Sequence, residues 1–123
     1  MQTLVAVAIG GAFGALSRYG IDQVALTYFK SSLQGTFIVN STGSFVLGIV
    51  AGILISHGHF PDPLKFLVTV GFLGSYTTFS TLSFATVRLL QQGEIQIATV
   101  NLLGTVLAGI AAAALGLLIG RSI

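Results

Sequence analysis

The sequence predicts an all-α integral membrane protein of four spans, forming one transmembrane domain over residues 1–123. Three observations carry that prediction. Charged residues make up only 7% of the chain, against 54% hydrophobic ones, where a soluble domain carries about 25% charged residues. Four apolar stretches each reach the roughly 20 residues that a helix needs to cross a hydrocarbon core. Short polar linkers separate these stretches and leave no room for a soluble domain.

The first stretch covers residues 3–27. It has no basic segment ahead of its apolar run, and no cleavage site stands out, so it is read as a retained helix rather than a cleaved leader. Lys30-Ser31-Ser32 leads into the second stretch, residues 35–56. The linker His57-Gly58-His59-Phe60-Pro61-Asp62 precedes the third, residues 63–90, and Gln91-Gln92-Gly93 precedes the fourth, residues 94–120. Small residues recur at every fourth position: Gly10 and Gly14 in the first; Ser44, Gly48 and Gly52 in the second; Gly104, Ala108, Ala112, Gly116 and Gly120 in the fourth. Such stripes let helix backbones approach closely where lipid supplies little hydrophobic drive. They specify packing and no function.

The third stretch is longer than a span requires. Its part from Gly71 to Phe84 mixes glycine and several hydroxyl side chains with bulky residues. Lipid-facing helix gains nothing from that mixture. Irregular backbone at membrane depth is tolerated where it is buried in protein or lines a wet cavity. Gly71, Gly74 and the Thr77-Thr78 pair therefore predict a break near mid-membrane, because glycine weakens a helix and Thr competes for its carbonyls. A tilted continuous helix is the alternative.

Charge narrows the possible functions. With four spans, Lys65 and Arg121 lie near one side of the membrane and Lys30 and Arg88 near the other. An even split sets no orientation. Insertion both ways and an antiparallel (dual-topology) dimer follow as expectations. The acids Asp22, Asp62 and Glu94 all fall at span ends or linkers. A proton-coupled cation carrier would want a buried carboxylate, and an anion route is free of opposing charge. No cysteine is present, which excludes disulfides and thiolate metal sites. His57 and His59 lack a carboxylate cluster and read as loop residues rather than metal ligands. No nucleophile, base and acid set is visible, so an enzyme is not expected.

Arg18 lies well inside the first span. A membrane charge is a functional candidate by default, although Arg18 near a helix end also suits a snorkelling anchor. Asn40 carries both donors and acceptors, suited to binding an ion or to joining helices. Thr105 shares a face of the fourth span with Asn101 and Gly109. Its hydroxyl extends a polar track or bonds back to its own helix.

At these residues the chain resembles the fluoride channel family called CrcB or Fluc. Gly10-Gly11-Ala12-Phe13-Gly14-Ala15-Leu16-Ser17-Arg18-Tyr19 is similar to the family's first-helix signature. Gly35-Thr36-Phe37-Ile38-Val39-Asn40-Ser41-Thr42-Gly43-Ser44-Phe45 is similar to the second, and Gly71 to Phe84, above all Thr77-Thr78-Phe79-Ser80-Thr81, to the broken third helix. The resemblance implies passive fluoride export across the bacterial cytoplasmic (inner) membrane. It implies a dimer with two pores, each lined by both subunits, and a structural Na+ at the dimer interface held by backbone carbonyls of Gly74 and Thr77. Fluoride is then expected to pass Asn40, Phe79, Ser80, Thr81, Ser83 and Thr105, with Arg18 raising the potential at the mouth. The chain departs from the family pattern at Ser75-Tyr76, at Leu82, where a second Phe is usual, and at Ala85, where a Glu is usual. Those departures keep a non-conducting or heterodimer-only subunit as a second reading. A small four-helix multidrug exporter is a third, disfavoured because the first span holds no mid-membrane Glu.

Overall fold

The computed structural model describes all residues from Met1 to Ile123 and contains helices and no strand. Helix α1 spans Gln2–Phe29, α2 spans Ser32–His57 and α6 spans Ile95–Ser122. These three are long and apolar enough to cross a membrane. Each of the two 28-residue helices α1 and α6 is about 42 Å long at 1.5 Å per residue, ample for a core of about 30 Å. The chain is thus a multi-span membrane protein, with spans 1, 2 and 4 close to the predicted positions. The Lys30-Ser31-Ser32 linker is shorter than expected, because Ser31 already caps α2 by accepting the Leu33 N–H at 3.2 Å.

The third span is assembled from pieces. A short α3, Asp62–Phe66, runs into a π-helical segment, Leu67–Leu73. One turn of α-helix follows (α4, Gly74–Tyr76), then Thr77 and Thr78 in extended conformation, and then α5, Phe79–Gln91. The predicted break is present, but at a narrower place than the glycines suggested. Gly71 lies within the π segment, and Gly74 is helical with φ −63° and ψ −32°. The chain leaves helical geometry only at Thr77, with ψ 157°, and Thr78, with φ −150°.

Glycine at positions 71, 10 and 14 serves close approach instead. A Cβ on Gly71 would sit 2.7 Å from the Val7 carbonyl oxygen. One on Gly10 or Gly14 would overlap the carbonyl of Leu67 or Phe72. The wide π segment therefore rests directly on the backbone of α1.

Helices α2 and α6 run parallel, as the second and fourth of four spans must. Ser56 Oγ donates to the Arg121 carbonyl at 3.2 Å, a separation of 65 residues, and the seam continues with Gly48 against Ala113 and Gly52 against Leu117. Gly116 and Gly120 press on the Phe45 and Ile49 carbonyls, so this end of the predicted stripe is the contact. Gly104 has open space around it and is no part of the seam. The buried core is built largely of glycine and alanine with Val39, Leu73 and Leu82. Large apolar side chains such as Leu4, Phe13, Ile110 and Leu118 face outward, as a lipid or subunit contact requires.

Candidate functional site

Two extended residues inside a membrane leave backbone groups that need partners, because bilayer interior supplies none. Asn40 on α2 satisfies both backbone polar groups of Thr78. Its Nδ2 donates to the Thr78 carbonyl at 3.0 Å, and its Oδ1 accepts the Thr78 N–H at 2.8 Å. One Nδ2 proton is left over, since a primary amide carries two. Asn40 thus joins helices while keeping a donor free.

Arg18 meets the other side of the break. Its Nε donates to the Ser75 carbonyl at 3.0 Å, so the half-buried charge of α1 lies over the carbonyl end of α4. Sequence reasoning weighed Arg18 as an anchor or a field source and missed this bond, which joins residues 57 apart.

Thr78 then starts α5. Its Oγ1 accepts the Thr81 N–H at 3.2 Å and donates to Thr81 Oγ1 at 3.1 Å. Ser80 Oγ lies 3.3 Å from Thr78 Oγ1 and donates to it, because the Thr78 proton is engaged with Thr81. Thr81 keeps its own proton. Ser83 Oγ donates to the Phe79 carbonyl one turn back, at 3.0 Å. The start of any helix also presents unpaired N–H groups and a partial positive charge. Here that end points at the break.

The break opens onto a groove of about 430 Å³ lined by residues of α2, the third span and α6. It brings together Asn40, Gly74, Thr77, Phe79 and Thr105 of the predicted site, with Thr69, Thr78 and Leu82 beside them. No acidic side chain is among the lining residues. Phe79 is 75% exposed and Leu82 only 3%, so the two share a face of α5 without equal access. Thr105 is buried, and its Oγ1 has no partner within the chain; it does not bond back to its own helix. Ser80, Thr81 and Ser83 lie on α5 outside the groove lining, as Arg18 does on α1.

The donor set suits a small cation as well. Thr78 N–H would close the helix on the Gly74 carbonyl, but it is turned to Asn40. The Thr77 carbonyl accepts no backbone N–H. Both residues line the groove with carbonyls left over by the helix, and hard carbonyl oxygens fit a hard monovalent ion. Thr77 Oγ1 is spent on the Leu73 carbonyl at 2.9 Å.

A bundle of membrane-spanning helices, one broken over a largely apolar groove that carries amide and hydroxyl groups, places irregular backbone where it is tolerated only when buried in protein or lining a cavity. The family model described as "CrcB-like protein, Camphor Resistance (CrcB)" matches residues 5–117. The chain belongs to the CrcB family. It is 40% identical over 124 aligned positions, covering all of both chains, to a protein of Geobacter sp. (strain M21) named "Fluoride-specific ion channel FluC". A protein of that name from Magnetococcus marinus is 42% identical over 118 positions, 95% of this chain and 96% of the relative. Another from Aeromonas salmonicida is 48% identical over 104 positions, 83% and 82% of the two chains. The resemblance read from the sequence is therefore correct. These relatives are named as channels, in agreement with the expectation that the chain is not an enzyme.

Proposed function

We propose that this chain is a passive fluoride channel that lets cytoplasmic fluoride leave through an antiparallel homodimer in the bacterial cytoplasmic membrane. One observation carries the reading: the groove at the helix break, which gathers Asn40, Phe79 and Thr105 and excludes acids. Fluoride holds its water tightly, so a dehydrating route must replace that water with dense donors. The free Asn40 N–H, the unpartnered Thr105 hydroxyl, the remaining Thr81 proton and the positive end of α5 are such donors. Phe79 adds the positive rim of an aromatic ring. Ser80 and Ser83 would continue the route along α5 by turning their protons from Thr78 Oγ1 and the Phe79 carbonyl toward the anion, and Arg18 raises the potential at the mouth.

The groove is open on one side, which suits a wall supplied by a second subunit. The even split of basic residues between the two membrane sides supports opposite insertion of the two copies. A Na+ at that interface would be held by the Gly74 and Thr77 carbonyls. When bound, such an ion supplies a fixed positive charge that offsets the cost of burying the anion. Hydrogen fluoride crosses membranes and ionises in a more alkaline cytoplasm, so a passive anion exit lowers the internal level.

Fluoride efflux from liposomes holding only this chain tests the reading. Efflux selective over chloride supports it. Silence alone, with efflux restored by a second homologous chain, would favour the heterodimer reading, which Leu82 and Ala85 motivate. Cysteines at exposed Gln92 and Ser122 test topology: labelling of each from both sides supports dual insertion, and a single orientation contradicts it.

A further inference from the structure

Tyr76 lies outside the groove, yet it is held from two directions. Its ring stacks on Phe72 with centroids 5.7 Å apart and planes 15° from parallel. Its hydroxyl lies 3.0 Å from Thr42 Oγ1 on α2. Thr42 donates its own proton to the Ile38 carbonyl at 2.6 Å, so Tyr76 is the donor between them. The stack aims the ring and the hydroxyl fixes its far end.

Thr42 and Asn40 are two positions apart on α2, and such residues do not share a helix face. Gly43 lies between the two flanks, and a Cβ there would meet Thr77 Cγ2 and stand 3.2 Å from Tyr76 Cδ1. The third span therefore crosses α2 over a glycine. Asn40 grips the chain after the crossing, at Thr78, and Thr42 grips it before, at Tyr76. Helix α4, one turn long, ends at the first of these holds. That turn closes the helical run that begins at Asp62, and the two extended residues after it free its end from α5.

We propose that Tyr76 and Thr42 form a latch, a positioning pair that fixes the rotation of α4 and so aims the Gly74 and Thr77 carbonyls at the groove. Helix α2 then sets the break from both sides within one subunit. The effect of the latch on flux rests on the channel reading; its effect on the break does not.

The test uses the full chain in liposomes, as parent, Tyr76→Phe, Thr42→Val, the double variant and Thr42→Ser. Tyr76→Phe keeps the stack and removes only the hydroxyl. Amide hydrogen exchange over residues 72–82 should quicken roughly three- to tenfold in each of the first two variants, the shift expected for one such bond. The double variant should go no further than either single one, because both remove the same contact. Thr42→Ser retains the hydroxyl and should match the parent, and exchange in α6 should not change. Fluoride efflux should fall in step with the exchange at constant dimer content. Unchanged exchange in Tyr76→Phe, or additive effects in the double variant, would overturn the latch. A silent parent defeats the channel reading instead, and the exchange data then decide the latch by themselves.

Discussion

The α2–α6 seam and the α2–third-span crossing use the same helix in opposite ways. Along the seam, two continuous helices touch backbone to backbone through Gly48, Gly52, Gly116 and Gly120, with Ser56 to Arg121 the one side-chain bond between them. At the crossing, α2 contributes Asn40 and Thr42, and its hydrogen bonds replace those the broken helix gives up. The seam buries small groups and holds position. The crossing spends polar groups to maintain an irregular backbone beside a groove. Where membrane helices need only pack, small residues suffice; where a route must exist, each unpaired backbone group has to be assigned a partner.

Substitution in the seam should have the largest effect. Gly120→Val sets a branched side chain against the Ile49 carbonyl, which cannot move aside. The cost should exceed the roughly 1–3 kcal/mol of ordinary overpacking. Thermal unfolding in detergent should show a clear fall in midpoint, or no folded protein. Gly104→Ala is the contrast, since nothing lies within 4 Å of its added methyl; its midpoint should stay close to the parent's.

At the crossing, function should fail before folding does. Asn40→Asp loses the donor to the Thr78 carbonyl and faces that oxygen with a carboxylate, besides repelling an anion. Efflux should drop by about tenfold or more, the scale of one charged hydrogen bond lost or reversed. Phe79→Ala removes a ring that is 75% exposed, so stability should hold while efflux falls about tenfold, in line with the worth of an aromatic edge contact. A variant that unfolds instead would place Phe79 on the structural side of the comparison.

Leu82→Phe should have the smallest effect of the pore changes. Leu82 is buried at the groove wall next to Phe79, and the open volume beside it receives a ring. Efflux should be preserved or raised. A loss would mean that the groove wall is already close-packed in the assembled protein.

Much of this was legible in the sequence. Four spans follow from hydropathy, because a bilayer imposes one length and one polarity on every crossing. The break was legible from its Thr pair but misplaced toward Gly71 and Gly74. Glycine signals both weak helix and close approach, and here α1 uses Gly71 for the second. The π segment had no local signature; it is set by contact with Gly10 and Gly14, far away in the chain. Asn40 and Thr105 were recognisable as polar residues out of place in lipid, and Phe79 only through the family resemblance; all three share the groove. The partners of Asn40 and Arg18 lie 38 and 57 residues away, and no periodicity encodes such pairings. Tyr76 was visible only as a departure from a pattern, without the Thr42 contact that explains it.

On the proposed reading one chain, paired with its own copy, conducts fluoride through the groove at the break. Fluoride efflux from liposomes at matched protein density, comparing the parent with Asn40→Asp and Phe79→Ala, tests it most directly. The parent should show rapid fluoride efflux and little chloride efflux, and both variants a marked loss while the protein stays folded and dimeric. A parent that conducts fluoride together with two variants that conduct equally well would contradict it, because the route would then lie outside the groove.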